Sequence, residues 1–160
     1  MKDFLEIYTS ISDFPSANEF PDLDKDNDNK YLIIFDDCVN DTDTKSEKKM
    51  KEYFTYGRAK GLTCCFLSQS YFQTNIFIRK QVSWVLLCGI NSNRDLKSIL
   101  KEYAIGDVSD KQLKEMYEYA KTQEEPNDVT FLKICTYHCP MDKKFSRNWI
   151  QYLNPNEFPK

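Results

Sequence analysis

The sequence predicts an α/β fold with a mainly parallel sheet flanked by helices. Three short apolar runs, residues 31–35, 62–68 and 82–88, show little polar alternation. That pattern suits strands buried on both faces of a parallel sheet. Stretches with helical spacing alternate with these runs, the order that builds parallel strands joined by crossover helices. The length, 160 residues, suits a single domain covering residues 1–160.

Each element has a local reason. Residues 4–11 (FLEIYTSI) are short and mostly apolar, as a strand would be, and 15–30 form a polar loop rich in Asp, Asn and Pro. Asp24, Asp26 and Asp28 resemble the start of a calcium loop. However, Asn29 stands where that loop needs Gly, and Phe35 where it needs a bidentate carboxylate, so a solvated loop fits better. The run YLIIF at 31–35 ends at Asp36-Asp37. Residues 46–60 read as a helix, with Met50, Tyr53, Phe54 and Gly57 on one face, Ser46 as N-cap and Gly61 at the C-cap. LTCCFLS at 62–68 is the second strand and leads to Gln69-Ser70. A loop with a short helix fills 71–80, and VSWVLLC at 82–88 is the third strand. Ser92 opens a helix through Ala104, and Ser109 with Gln112 opens another. Glu124 to Asp128 form a turn before a last strand at 129–135. The tail, 140–160, reads as polar and aromatic without a clear period.

Composition narrows the function. With 41% hydrophobic residues the chain can build a packed core, and a net charge of -3 gives no broad basic field for nucleic acid. No apolar run reaches the roughly 18–20 residues of a membrane span. The N-terminus has no signal-peptide pattern, so an intracellular, cytoplasmic protein is expected. The six cysteines are Cys38, Cys64, Cys65, Cys88, Cys135 and Cys139. Cys135 and Cys139 flank the lone His138, but no second Cys pair completes a four-ligand zinc site. Free thiols in a core fit better. The four glycines, Gly57, Gly61, Gly89 and Gly106, match neither G-x-x-x-x-G-K-[ST] nor G-x-G-x-x-G.

Chemistry concentrates at two strand ends. Apolar residues ending in an acidic pair form a Walker B pattern. A buried strand fixes the backbone, so Asp36 emerges where a carboxylate can hold Mg²⁺ directly or through water. Asp37 can then orient or deprotonate an attacking water. Acidic residues also end strands simply as turn formers. Gln69 can hold such a water from the neighbouring strand end, or be an ordinary loop residue. Arg58, at the end of the intervening helix, can act as an arginine finger toward a neighbouring subunit, or complement the helix dipole. Arg79 is a second arginine of that type. The Lys-rich stretch 45–51 (KSEKKMK) is either a DNA contact or a solvated helix start.

In order, IIFDDC, FTYGRAKGLTCCFLSQSYF and IFIRKQVSWVLLCGI resemble the poxvirus-type viral genome-packaging ATPases of the FtsK/HerA superfamily. Relatives of these occur in other large DNA viruses, virophages and Polinton/Maverick-type elements. The resemblance is carried by about residues 31–90. It implies a partial P-loop NTPase core of the RecA/FtsK type, binding ATP and Mg²⁺ when intact. It also implies a homo-oligomeric ring that translocates double-stranded DNA. By position it makes Asp36 the Mg²⁺-associated Walker B residue and Asp37 the water activator, where many relatives have Glu. Gln69 becomes the polar sensor, Arg58 the arginine finger in trans, and Arg79 a further arginine of the pattern. Ala59 stands where many relatives have His. The Walker A half is missing from the 160 residues. The chain is therefore expected to be the C-terminal portion of an NTPase core: a fragment, a degenerate copy or one piece of a split gene. It would then not bind ATP tightly alone, and a separate Walker A-bearing segment would be its partner. The competing readings are a non-catalytic α/β interaction module descended from such an ATPase and a response-regulator-like acidic pocket. The latter lacks a fitting Lys at a later strand end. A viral protein of this kind would work in the viral factory or the virion.

Overall fold

The computed structural model describes residues 6–21, 30–38, 43–104, 108–123 and 128–159. Asp24, Asp26 and Asp28, Gly106, and most of the expected turn at 124–128 lie outside the described residues. The fold is α/β, and the chain divides into two compact units, residues 1–81 and 82–160.

The first unit is built on a parallel pair. β1 (Tyr31–Asp36) runs beside β2 (Leu62–Leu67) in a register from Tyr31↔Leu62 to Asp36↔Leu67. α1 (Thr44–Tyr56) makes the crossover. Its N-cap is Asp43 rather than Ser46. The Asp43 carboxylate accepts from the N–H groups of Lys45 and Ser46, both at 3.0 Å, while Ser46 is buried within the first turn. An ionised cap satisfies two orphan donors and favours the positive end of the helix dipole, so the earlier residue wins. The helix tightens into a 3₁₀ turn over Gly57–Lys60 and stops at Gly61, which takes the left-handed conformation (φ 65°).

Tyr53 is the centre of this unit's core. Its ring lies 5.2 Å from Phe14, 5.5 Å from Phe35 and 6.0 Å from Phe20, and its hydroxyl donates to the Pro15 carbonyl at 2.7 Å. Burial pushes the phenol well above its ordinary range. The expected N-terminal strand does not form over residues 6–10. Ser10 instead caps a 3₁₀ turn at Ile11–Asp13, and Lys49 of α1 donates to the carbonyls of Ser12 and Phe14. Short polar side chains that bond their own backbone favour turns over strands.

The apolar runs imply burial on both faces, yet among the described residues β1 and β2 bury one face and leave the other exposed. Ile33 and Phe35 are buried, Phe35 against the rings of Phe14 and of Tyr53 and Phe54 in α1. Leu32 is 62% exposed and Ile34 54% exposed, and Thr63 and Leu67 are exposed beside them. A continuous apolar run records what a strand can bury, not what covers it.

The second unit pairs two helices with an antiparallel sheet. α2 (Ile76–Gln81) closes the first unit, and β3 (Trp84–Leu87) opens the second. α3 (Asn93–Tyr103) is capped by Ser92, whose hydroxyl accepts from the Asp95 N–H at 3.2 Å. α4 (Asp110–Ala120) starts with the expected Ser109/Gln112 capping box. The sheet order is β3, β4 (Leu132–Cys135), β5 (Phe145–Arg147) and β6 (Gln151–Tyr152), each neighbour antiparallel. Parallel pairing among the described residues is thus confined to β1 and β2, and the third apolar strand joins an antiparallel sheet. The links 136–144 and 148–150 are shorter than a parallel crossover needs, so β4, β5 and β6 pair antiparallel, whereas β3 reaches its antiparallel place beside β4 through the long connection that carries α3 and α4. The tail's strands have three and two residues, too few for a period to show. Among the cysteines, Cys135 is buried, Cys38, Cys64, Cys65 and Cys139 are partly so, and Cys88 is exposed, so the core-thiol reading fails at Cys88. Among the described residues no helix is long and apolar enough to cross a membrane.

Candidate functional site

Parallel register brings the acidic pair and the glutamine to the same end of one sheet. Asp36 ends β1 opposite Leu67, and Gln69 follows β2 by two residues. Asp36, Asp37 and Gln69 are all exposed there. Asp37 turns the chain with φ 52°, a left-handed conformation that Asp tolerates better than most side chains. Its N–H donates to the Leu67 carbonyl at 3.2 Å, prolonging the ladder one step past β1. The Cys38 thiol donates to the Asp36 carbonyl at 3.3 Å. The backbone beneath both carboxylates is therefore fixed.

The glutamine loop is fixed by its neighbours. The Ser68 hydroxyl accepts from the Ser70 N–H at 3.1 Å and donates to the Ser70 carbonyl at 2.8 Å, folding a tight turn around Gln69. Thr74 closes the loop, its hydroxyl donating to the Ser70 carbonyl at 3.1 Å. Asn75 bonds Glu47 in the first turn of α1, and its side-chain oxygen accepts from the Phe77 N–H at 2.8 Å, starting α2. Glu47 in turn pairs with Lys51 at 3.1 Å. Neither Asn75 nor Glu47 stands out in the sequence as a site residue. The only signal is an Asn directly before an apolar helical stretch.

The two arginines are placed differently. Arg79, in the last turn of α2, sets its guanidinium 4.7 Å from the Tyr71 ring and 5.9 Å from Phe72. It braces the loop that carries Gln69. Arg58 is exposed in the 3₁₀ turn that leads into the start of β2. That is the opposite end of the sheet from Asp36. Five strand steps of about 3.3 Å separate the two ends by roughly 17 Å. The structure thus brings together Asp36, Asp37 and Gln69, ties Arg79 to the same loop, and leaves Arg58 at the far end.

Of the Lys-rich stretch, Lys49 holds the carbonyls of Ser12 and Phe14 and Lys51 pairs with Glu47, while Lys45 and Lys48 are exposed. Among the described residues no three His, Cys, Asp or Glu side chains converge as a metal-binding group. No curated protein and no solved structure matches the chain. The family model described as Poxvirus A32 protein matches residues 10–136 of the 160, a span that includes the acidic pair, Gln69 and both arginines. The chain belongs to this family of poxvirus-type genome-packaging ATPases.

Proposed function

We propose that residues 1–160 act as the Walker B-bearing, C-terminal portion of an ATP-driven motor that packages double-stranded DNA. The observation that carries this reading is the shared strand end of Asp36, Asp37 and Gln69 on a fixed parallel register. Two exposed carboxylates at one strand end are hard oxygen donors of the kind Mg²⁺ takes. Asp36 would hold the ion, Asp37 would accept a proton from water, and the Gln69 amide would orient that water. Bound Mg²⁺ supplies charge neutralisation at the phosphates. Arg58, too far from its own chain's Asp36, would serve the site of a neighbouring subunit. Arg79 would keep the Gln69 loop in place.

The donor set fits only half of an ATP site. Phosphate recognition needs backbone amides of a glycine loop and its Lys, and the 160 residues hold no such sequence. We assign that part to a separate Walker A-bearing segment. An isolated two-stranded sheet is marginal in water, and the uncovered face at Leu32, Ile34 and Leu67 leaves apolar surface for such a segment to cover. The same missing loop favours a second reading, a non-catalytic α/β interaction module.

The test is a steady-state ATPase assay on the purified chain. No measurable turnover is expected alone. Turnover lost on Asp36→Asn is expected once a Walker A-bearing family segment is added. Robust, Asp36-dependent turnover by the chain alone would overturn the split-site reading. Failure to gain activity with any such segment, despite binding it, would favour the interaction module.

A further inference from the structure

Cys135 and Cys139 take no part in the site described above. Among the described residues His138 completes no metal-binding group with them. The fold nevertheless brings their sulfurs together. Cys135 is the last residue of β4, level with Trp84 of β3. The chain then bends at Tyr137 and His138 and returns, so that the Cys139 thiol hydrogen-bonds the Cys135 thiol.

Both sides of this turn are held. The Cys135 N–H donates to the Lys144 carbonyl at 2.8 Å, and the Thr136 N–H donates to the Ser83 carbonyl at 3.0 Å. The Thr136 hydroxyl also donates to the Val82 carbonyl. On the returning side, the N–H groups of Lys143 and Lys144 donate to the carbonyls of Pro140 and Met141 at 2.9 and 3.3 Å. A disulfide needs its two Cβ atoms within about 3.5–4.5 Å, a separation that thiols in mutual contact already approach.

The two thiols differ in access. Cys135 is buried, and its S–H donates to the Tyr137 carbonyl at 3.6 Å. Cys139 is partly exposed and lines an open cleft with Thr136, Tyr137 and His138. Burial and the bond to Cys135 hold the Cys139 thiol above its ordinary range, against the pull of Lys144, so the pair rests as thiols and reacts slowly. An accessible sulfur beside a buried one is the arrangement of an attacking and a resolving cysteine.

We propose that Cys135 and Cys139 form a reversible redox switch, closed by a low-molecular-mass disulfide such as oxidised glutathione. The Cys139 thiolate attacks one glutathione sulfur, a mixed disulfide forms, and one glutathione thiolate leaves. Cys135, its proton lost to solvent, attacks the Cys139 sulfur and expels the second glutathione. Two protein thiols become one disulfide, and one glutathione disulfide becomes two thiols. The closed loop spans only residues 135–139, the short limit at which a disulfide constrains the unfolded chain least, so the effect is local. Without its proton Cys135 no longer donates to the Tyr137 carbonyl, and the bend that displays Tyr137, 55% exposed, and His138 is reset. The switch uses none of the residues assigned to nucleotide hydrolysis and stands whether or not that assignment does.

Trypsin, cutting after Lys133 and Lys143, releases residues 134–143, a peptide with both cysteines and no other. The experiment equilibrates the full folded chain with mixtures of oxidised and reduced glutathione at about pH 8, where thiols are partly ionised. Free thiols are then alkylated and the mass of this peptide is measured. Under oxidised glutathione the peptide should be lighter by two hydrogens and closed to alkylation, and excess reduced glutathione should reopen it. Cys135→Ala should leave Cys139 as a glutathione mixed disulfide, and Cys139→Ser should leave Cys135 reduced. Cys88→Ser, which removes the exposed thiol, should change neither result. His138 is the only histidine, so its imidazole resonances report on the bend. They should shift on oxidation of the wild type and stay in place in Cys139→Ser. A peptide that remains doubly alkylated, a mixed disulfide that persists at Cys139 in the wild type, or closure no more favourable than in the urea-unfolded chain would each overturn the proposal. So would His138 resonances unmoved by complete oxidation.

Discussion

Gly57 shows how tightly the end of α1 meets β2. A Cβ there would lie 3.2 Å from the Cys64 sulfur and 3.4 Å from the Leu62 Cβ. Gly57→Ala should therefore cost about 1–3 kcal/mol by overpacking. Adding Cys64→Ala should recover part of that loss, and urea denaturation of the four combinations measures the coupling. Cys64 also sets a pH dependence. Burial pushes its thiol up to about 11, and the thiol donates to the Tyr53 carbonyl at 3.6 Å. The folded value lies above the unfolded one, near 9, so the contribution is whole below pH 9. It is lost as pH rises toward 11, because only the unfolded chain can ionise easily there. The urea midpoint should fall between pH 9 and 11, and fall less steeply in Cys64→Ala. Equal slopes would place the titration elsewhere. At Asp37, the left-handed backbone makes Asn the right probe of the carboxylate, because Asn also accepts φ near 52°.

At the scale of elements, Gln112 links α4 to the C-terminal segment. It is 1% exposed, closes the capping box with Ser109, and donates to the Pro155 carbonyl at 2.8 Å. Gln112→Ala removes the cap partner and leaves a buried carbonyl without its donor, for a loss of about 1–3 kcal/mol. Gln112→Glu keeps the cap but loses the donated bond, so a thermal melt should place it between wild type and Ala if the two roles are separate. The same elements show what sequence can reveal. Capping boxes are local chemistry, so Ser109 with Gln112 was legible. The shared end of Asp36 and Gln69 was legible too, because a crossover helix forces β1 and β2 parallel and so aligns their carboxyl ends. The pairing of Asn75 with Glu47 was not, since it spans 28 positions and leaves no periodic trace. Nor was the open face of β1, because Leu32 and Ile34 read the same whether covered or exposed. β5 and β6 are too short to carry a pattern and are defined only by their partners.

At the scale of the whole molecule, the position of Arg58 makes the strongest demand. β1, α1 and β2 form one crossover unit, so Asp36 must leave the sheet at one end and Arg58 enter it at the other. No rotamer spans the roughly 17 Å of strand between them. If Arg58 contributes to hydrolysis, it does so in a second chain, and each active site is then made from two copies. This gives a prediction that separates a finger from a residue that merely stabilises the helix end. In the assembly completed by the Walker A-bearing segment, Arg58→Ala and Asp36→Asn should each abolish turnover when present in every chain. Mixing the two variants should restore part of it, because some interfaces then join an intact Asp36 to an intact Arg58 from the neighbour. In a ring with random mixing at equal amounts, about a quarter of the interfaces qualify by simple counting, with each arginine finger worth a factor on the order of 10³–10⁵. Recovery of activity over either variant alone, measured by phosphate release, is the expected outcome. Mixtures no more active than the parents would mean that Arg58 acts within its own chain as a helix-end cation, and that each site is complete in one subunit.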